Sequence, residues 1–364
     1  MPFDVRDFPG APPEDRAAGQ QSRRLVAVWL FGVALMILIM IVLGGVTRLT
    51  GSGLSIMEWD PIMGALPPVS EAEWQHLYRL YQQIPQYRLV NEGFGLAGFK
   101  QIFWLEWTHR LWGRLIGFAF LVPLVWFWAT GRIERRLRPF LALLFVLGGL
   151  QGAVGWFMVA SGFFPESTAV APARLVIHLA LALVLYVALL WTALTVLRPN
   201  PVPVRCDRLM HQLAWICCAL VAITMLAGGF VAGTRAGFEY NTFPWMDGQL
   251  VPSGYAQLQP FWRNLMENLA AVQFDHRLLA TLTALVVVCT CAVGLIVRLP
   301  PVAHYALLAL GVAAAVQYLL GVATLLSVVE IDLAATHQAM AVLLLTSAVV
   351  LLHATRPIRP TPPQ

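Results

Sequence analysis

The sequence predicts an all-α polytopic membrane protein with eight transmembrane helices, built as two parallel four-helix-bundle repeats. Three observations predict this fold class. Hydrophobic residues make up 59% of the 364-residue chain and charged residues only 12%, against about 25% charged residues in an average soluble protein. Apolar runs of about 20 residues, the length that crosses a bilayer, occur eight times. The same landmarks also appear twice along the chain, in the same order.

The eight apolar runs define the predicted order of segments. A cytoplasmic tail (1–24) precedes an N-terminal half (25–196), and a linker (197–209) leads to a C-terminal half (210–354) and a second tail (355–364). Each half contains four predicted spans, which are 25–46, 103–129, 139–160, 173–196, 210–232, 269–297, 304–326 and 333–354. So dense a series of runs indicates one helical bundle in a membrane and not several soluble domains.

Positive residues indicate which ends of the spans face the cytoplasm. Arginines concentrate in the first tail, in the connection 131–138, in the linker and in the last tail. These segments lie on one side of an eight-span protein, and the positive-inside rule makes that side cytoplasmic. The long loops 47–102 and 233–268 then face the periplasm. Acidic residues in the first tail argue against a mitochondrial transit peptide, so we expect a bacterial inner membrane with both termini cytoplasmic.

The net charge of +5 is therefore a signal of topology. The chain carries no basic stripe of the kind that binds nucleic acid, so the lipid bilayer is the partner that composition implies. Neither long loop contains a cysteine. We therefore expect no disulfide there and interpret the five cysteines as packing residues.

Internal repeats support the division into halves. "LGGVTRLTGSG" at the end of span 1 resembles "AGGFVAGTRAG" at the end of span 5, and "EWTHRL" in span 2 matches "QFDHRL" in span 6. Gln151 and Gly155 in span 3 recur as Gln317 and Gly321 in span 7 with the same spacing. Because each unit has an even number of spans, the two copies share one orientation, which predicts a parallel repeat.

One histidine near the loop end of each even-numbered span completes the repeat, and these are His109, His178, His276 and His337. Their positions within the first turns of spans that run in one direction place the four imidazoles at a similar shallow depth. Facing side chains of a bundle commonly build a cofactor site, and histidine is a standard axial ligand of haem. The sequence predicts one such pair in each half. The other histidines are predicted to be solvated or interfacial, and these are His76, His211, His304 and His353.

Charged residues at the same level have candidate roles of their own. Arginine matches a carboxylate bidentately, so the candidates to hold haem propionates are Arg48, Arg110, Arg114, Arg235 and Arg277. Glu106 lies on the same helix face as His109, and Gln273 takes its place in the second half. Two interpretations of Glu106 stay open. It forms an ion pair with Arg110 or Arg114, or it takes part in proton transfer or cation stabilisation, in which case the N-terminal half does chemistry and the C-terminal half passes electrons.

Several longer motifs resemble those of haem A synthases. They are "GGVTRLTGSGLSIMEWDPIMGALPP" (44–68), "EWTHR" (106–110), "AGTRAGFEYNTFPWMDG" (232–248), "FDHR" (274–277) and "THQAM" (336–340). The resemblance covers about residues 24–355, nearly the whole chain. A long first loop without cysteines is similar to the proteobacterial and mitochondrial branch of that family, so a thiol role in that loop is not expected here.

The resemblance implies an oxidoreductase that converts a methyl group of haem O to a formyl group by successive hydroxylation and loss of water, giving haem A for terminal oxidases. It implies a haem b cofactor between His276 and His337, and haem O between His109 and His178 with Glu106 as the catalytic residue. It also implies haem O synthase and a ferredoxin-like electron donor as partners, and it allows a homo-oligomer.

Two other functions use the same side chains. A diheme b-type membrane cytochrome needs the four histidines and only transfers electrons. A membrane transporter with duplicated halves uses histidine and arginine to bind an anion, but it favours helices broken near mid-membrane, and most glycines and prolines here lie at span ends and in loops. A di-iron oxygenase is less favoured, because clustered histidine boxes are absent from the sequence.

Overall fold

The structure, a computed structural model, describes residues 13–61, 63–198 and 208–356. In this part of the chain no β-strand forms beyond one isolated bridge between Met246 and Gln249. Eight helices are long and apolar enough to cross a membrane, and spans 1 to 8 are Gly19–Leu49, Gly95–Ala129, Arg138–Phe163, Pro172–Leu197, Arg208–Thr234, Leu269–Ile296, Pro301–Leu326 and Ile331–Ala354. The predicted fold class, an all-α multi-pass membrane protein with eight spans, is confirmed.

Spans 1, 4, 5 and 8 form the centre of the bundle. Span 1 packs against spans 4 and 8, and span 5 packs against the same two; spans 4 and 8 also touch each other. Span 2 packs on span 1 and span 3 on span 4, as span 6 does on span 5 and span 7 on span 8. Each half therefore has the same helix pairing. The axis that relates the halves stays a prediction.

The core between the central spans is apolar with a few hydrogen-bonded polar groups. Leu189 and Leu345 are buried there, and the hydroxyls of Tyr186 and Thr346 share a hydrogen bond of 2.6 Å. In a bilayer, lipid tails are as apolar as leucine, so helices associate through close packing and such polar contacts. Large apolar side chains, for example Phe118 and Val288, are exposed on the outer surface of the bundle, where they suit contact with lipid.

The bundle has two distinct ends, which we call the loop face and the tail face. At the loop face, where spans 1 and 5 end, Gln338 of span 8 donates a 2.6 Å hydrogen bond to the Ile41 carbonyl of span 1. At the tail face Arg356 donates to the Arg198 carbonyl at 2.7 Å. The last residues of spans 4 and 8 therefore lie on the same side of the bundle. The predicted tails and linker, with Cys206, fall largely outside the described residues, and the other four cysteines are free thiols in spans 5 and 6.

Span 2 begins at Gly95, eight positions before the predicted start at 103. The polar residues Lys100 and Gln101 interrupt the apolar run, but the backbone helix continues through them. Its first turns bury Phe99 and Phe103 in a small aromatic core of the first long loop. Hydropathy marks where a helix enters lipid, whereas packing in the loop decided where this helix starts.

The first long loop, predicted over 47–102, contains a helix that was not predicted, Glu71–Tyr81. Ser70 and Glu73 form a capping box at its start, a signal that stabilises helix N-termini. The backbone N–H groups of Ser70 and Val69 hold the pKa of Glu73 below its usual value. Trp74 and Tyr81 of this helix pack onto Phe99 and Phe103, so the loop is anchored to the extended start of span 2.

The contact between spans 4 and 5 predicts a specific packing defect. A Cβ at Gly233 would lie 2.9 Å from the Pro172 Cα, and backbone cannot move aside as a flexible side chain can. We expect Gly233→Ala to destabilise the protein by about 1–3 kcal/mol, the usual cost of overpacking, and to lower its melting temperature in detergent by several degrees.

The control is Gly117→Ala in span 2, where a Cβ meets nothing within 4 Å. Alanine is about 0.8–1.0 kcal/mol better than glycine inside a helix, so this variant should melt at or slightly above the wild-type temperature. Equal melting of both variants would contradict the packing argument.

Candidate functional site

The four predicted histidines lie along the inner side of the loop face, all partly buried. His178, His276 and His337 stand six or seven positions after the first residue of their spans, Pro172, Leu269 and Ile331. His109 stands fourteen positions after Gly95, because span 2 extends out of the predicted membrane region. The charges of His109 and His178 would interact across the N-terminal half, and those of His276 and His337 across the C-terminal half. In each half the two imidazoles thus lie within electrostatic range of each other.

Each of these imidazoles packs against a glycine of the preceding span. A Cβ at Gly44 would lie 3.2 Å from the His109 Nε2, and one at Gly228 would lie 3.0 Å from the His276 Cε1. In span 3, a Cβ at Gly155 would lie 2.9 Å from the His178 Cε1, and in span 7 a Cβ at Gly321 would lie 2.9 Å from the His337 Cε1. Any larger residue would push the ring aside. The glycines that recur in the sequence thus make room for the four rings.

The nitrogens of these rings are largely left without protein partners. The Nδ1 of His276 lies 3.2 Å from the Thr224 carbonyl; when it donates its proton there, Nε2 keeps a free lone pair, the form that binds a metal. The Nδ1 atoms of His178 and His337 are buried and have no partner in the described structure. Buried polar atoms are normally hydrogen-bonded, so these unpaired nitrogens suit a ligand.

Gln151 and Gln317 stand beside the second histidine of each pair. Their Nε2 atoms lie 3.5 Å from the His178 Nε2 and 3.4 Å from the His337 Nε2. The Oε1 atom of each glutamine is buried and has no partner among the residues that the structure describes. In the sequence these two glutamines are recognisable only as landmarks of the repeat. Their recurrence was a signal of function, but the sequence alone did not show that they adjoin the histidines.

Glu106 is the most completely bonded carboxylate of the site. Its Oε2 accepts hydrogen bonds from the Ser55 backbone N–H at 2.7 Å, the Ser55 hydroxyl at 2.8 Å and the Ile56 N–H at 3.0 Å. Its Oε1 accepts two from Arg110, at 2.6 Å and 3.1 Å. The side chain is only 2% exposed. Of the two open interpretations, the ion pair with Arg110 is therefore present, and Glu106 also holds the first long loop.

Arg110 and Arg114 clamp the next residues of that loop onto span 2. Arg110 donates to the carbonyls of Ile56 and Glu58 at 2.8 and 3.0 Å. Arg114 donates to the carbonyls of Asp60 and Pro61 at 2.6 and 2.9 Å. Arg110 thereby uses all its nitrogens on protein groups, whereas the Nη1 of Arg114 is buried and unpartnered among the described residues. Of these two propionate candidates, only Arg114 keeps a nitrogen with no partner among the described residues.

The equivalent cluster in the C-terminal half is built around Gln273 and Arg277. Both donate to the carbonyl of Tyr240 in the second long loop, at 3.2 and 2.7 Å. The Nε and Nη1 of Arg277 are buried and find no partner in the part of the chain that is described, nor does the Oε1 of Gln273. Both halves therefore tie a loop to the start of an even-numbered span, but only the first uses a carboxylate.

The remaining propionate candidates lie near each other where the halves meet. Arg48 and Arg235 interact as like charges, and neither side chain hydrogen-bonds to a residue that the structure describes. Arg235 is exposed and has a left-handed backbone, with φ of 61°. It lines a cavity of about 380 Å³ with Ser161, Thr168 and Thr234, and none of the four histidines lines that cavity. Arg110 and Arg114, in contrast, are engaged with the first loop.

Two of the other histidines differ in their surroundings. His76 is exposed, at 55% for its side chain, as predicted. His353, predicted to be solvated or interfacial, is only 4% exposed; it packs edge-on against Trp191 and hydrogen-bonds to Arg356. That prediction was wrong, because the tail ends of spans 4 and 8 pack together and enclose the ring.

Eight membrane-spanning helices with a histidine pair in each half define a polytopic membrane protein built as a helical bundle, an architecture in which facing side chains commonly build cofactor sites. The chain belongs to the COX15-CtaA family, described as cytochrome oxidase assembly protein, whose match covers residues 27–349.

Similar proteins carry more specific names. The chain is 62% identical to the haem A synthase of Granulibacter bethesdensis over 93% of this chain and 89% of that protein. It is 49% identical to haem A synthase 2 of Acidiphilium cryptum over 92% of this chain and 93% of the relative. The haem A synthase of Rhodospirillum centenum is also 49% identical, over 96% of this chain and 92% of its own length. The resemblance found in the sequence motifs is confirmed.

The bonds of Glu106 predict a local effect of its removal. Glu106→Ala takes away the acceptor of the Ser55 and Ile56 amides, and charge-assisted hydrogen bonds of this kind are worth about 1.5–3 kcal/mol each. We expect hydrogen–deuterium exchange in peptides covering residues 52–61 to accelerate at least tenfold.

The matched control is Glu73→Ala in the same loop. Glu73 also accepts two backbone N–H bonds, from Val69 and Ser70 at 2.8 and 3.0 Å, but at an exposed helix cap. Its loss should accelerate exchange around residues 69–73 and leave 52–61 unchanged. Unchanged exchange at 52–61 in the Glu106 variant would show that Glu106 does not hold the loop.

Proposed function

We propose that this protein is an oxidoreductase that converts a methyl group of haem O to the formyl group of haem A. Its family and the haem A synthase names of its relatives support this function. The structural observation that carries it is the pair of glycine-packed imidazoles in each half. Two histidines from neighbouring helices, with unpartnered ring nitrogens and arginine donors beside them, fit the axial and carboxylate requirements of a haem.

The C-terminal half is proposed to hold haem b, whose iron His276 and His337 would bind. Donation by the His276 Nδ1 to the Thr224 carbonyl supports ligation through Nε2, since such a bond sets the tautomer and raises ligand basicity. Arg277 offers two unpartnered donors to a propionate. Haem b supplies reversible one-electron transfer when bound. If both histidines bound the iron, they would exclude other ligands from it, which would suit that role.

The N-terminal half is proposed to receive haem O between His109 and His178. Arg114 has one unpartnered donor there, and Arg48 and Arg235 are the candidates at the seam between the halves. The predicted catalytic role of Glu106 stays a prediction. Its five hydrogen bonds support a positioning role, in which it orders Ser55, Ile56 and Arg110 over the substrate half.

The net reaction oxidises one carbon atom. Written as two hydroxylations by molecular oxygen followed by loss of water, R–CH₃, two O₂, four protons and four electrons give R–CHO and three H₂O, with the electrons coming from the proposed ferredoxin-like donor. The chain must therefore shield a reactive rim carbon from solvent and let protons enter. The clamped first loop supports the first task, because Arg110 and Arg114 hold residues 56–61 against span 2 at the loop face.

The cellular setting is part of the same proposal. Several arginines lie at the tail face, namely those of the connection 131–138, Arg198 and Arg356. By the positive-inside rule, this supports a cytoplasmic tail face and a periplasmic loop face. We place the protein in a bacterial inner membrane with both termini cytoplasmic. Haem O synthase would supply the substrate, and a ferredoxin-like protein would exchange electrons with it.

Pigment analysis tests the proposed function directly. The chain is expressed with and without haem O synthase, and haems are extracted and identified by mass. We expect haem A only in the co-expressing cells, and Glu106→Ala should retain haem b but give little haem A. Bound haem with no haem A in any strain would indicate an electron-transferring diheme cytochrome, and a purified chain with no Soret absorbance would favour a transporter.

The resident site makes a separate prediction. His276→Ala or His337→Ala removes one axial ligand of haem b, so the purified variant should lose its six-coordinate low-spin spectrum and most of its haem. His353→Ala is the matched control, because His353 is a buried histidine of span 8 at the opposite face. A normal spectrum and haem content in either ligand variant would refute the assignment.

A further inference from the structure

The two halves differ in the charge of one equivalent cluster. We call Glu106, Arg110, Ser55 and Ile56 the first cluster, and Gln273, Arg277 and Tyr240 the second cluster. In both, an arginine directly follows a site histidine and a second polar residue stands four positions before that arginine. In both, these side chains bind the loop that follows the first span of that half. The exchange of glutamate for glutamine is the main chemical difference between them.

The first cluster is saturated and electrically balanced. Glu106 and Arg110 form a bidentate ion pair, and the remaining Arg110 donors bind loop carbonyls. An additional carboxylate approaching Arg110 would find only the second N–H of Nη1 unused and would meet the negative charge of Glu106. This arginine therefore gains little from the carboxylate of a ligand.

The second cluster has an unsatisfied positive charge. Arg277 makes one hydrogen bond, to the Tyr240 carbonyl, and its Nε and Nη1 are buried without partners in the described structure. Asp247 of the second loop is within electrostatic range, but it forms no hydrogen bond or salt bridge with Arg277. A buried donor without a hydrogen-bond partner costs about 1–3 kcal/mol of stability, and more when the group is charged. A carboxylate presented here would satisfy both donors with charge-assisted hydrogen bonds.

We propose that the glutamate–glutamine difference at positions 106 and 273 determines which half retains its haem and which half releases it. Arg277, unneutralised, grips a carboxylate of the resident haem, whereas Glu106 neutralises Arg110 so that a haem in the N-terminal half can exchange. This inference rests on the proposed function and deepens it. An enzyme whose substrate and product are both haems needs one site that exchanges them and one that does not, and one residue in each half supplies that distinction.

The test is haem dissociation from the purified full-length protein in detergent, with excess apomyoglobin as the acceptor. Each site is recorded alone, the C-terminal site in a His178→Ala background and the N-terminal site in a His337→Ala background. We expect Gln273→Glu to speed loss of haem b at least tenfold, because the new carboxylate would neutralise Arg277 as Glu106 neutralises Arg110.

The matched control is Gln273→Met, which removes the amide and its bond to Tyr240 but leaves the donors of Arg277 unpaired. Its dissociation rate should stay within about threefold of the parent. Equal rates for the Glu and Met variants, whether fast or slow, would overturn the proposal, because charge at position 273 would then have no specific effect.

The reciprocal change is Glu106→Gln, which frees Arg110 for a ligand carboxylate. We expect haem in the N-terminal site to dissociate at least tenfold more slowly. Loosening of the first loop would act in the opposite direction and speed release, so the sign of the change separates the two effects. Faster or unchanged release would count against the proposal. A wild-type chain that binds no haem at either site would refute the proposed function itself, which is a different result.

Discussion

The contact between a glycine on one span and a histidine on the next determines the geometry of both halves. Membrane helices gain little from burying apolar surface, so they approach closely where small residues allow it. At Gly44, Gly155, Gly228 and Gly321 the missing side chain is replaced by an imidazole of the neighbouring helix. The rings are therefore held between neighbouring helices. The pairing of the histidines and the position of the arginines that follow His109 and His276 depend on this contact.

A second constraint comes from polar groups at the membrane boundary. A charged residue within a span costs about 2.5–3.5 kcal/mol on insertion scales and usually faces a functional interior. Here Glu106 and Arg110 offset that cost by binding each other and the backbone of the first loop. Arg277 is compensated only in part. The same repeat position thus acts as a loop clamp in one half and keeps binding capacity in the other.

Much of the fold could be predicted because the bilayer restricts the choices. A run of about 20 apolar residues has few alternatives to a spanning helix, so all eight spans were found. The start of span 2 and the helix Glu71–Tyr81 were missed, since both depend on aromatic packing around Phe99 and Trp74 in the loop. His353 was placed wrongly for a similar reason: its burial depends on Trp191, which is distant in sequence.

For the candidate site, the sequence by itself determined the chemical inventory: two histidines per half, arginines at the same level, and one carboxylate without a counterpart. Duplication made this possible, because a residue type that recurs at matched spacing is recognisable without coordinates. Only the tertiary structure decided what each group binds. Arg110 and Arg277 are equivalent in sequence, yet one is saturated by Glu106 and loop carbonyls and the other keeps two free donors. Hydrogen bonding depends on directions and distances between segments some fifty residues apart, and spacing along the chain does not contain them.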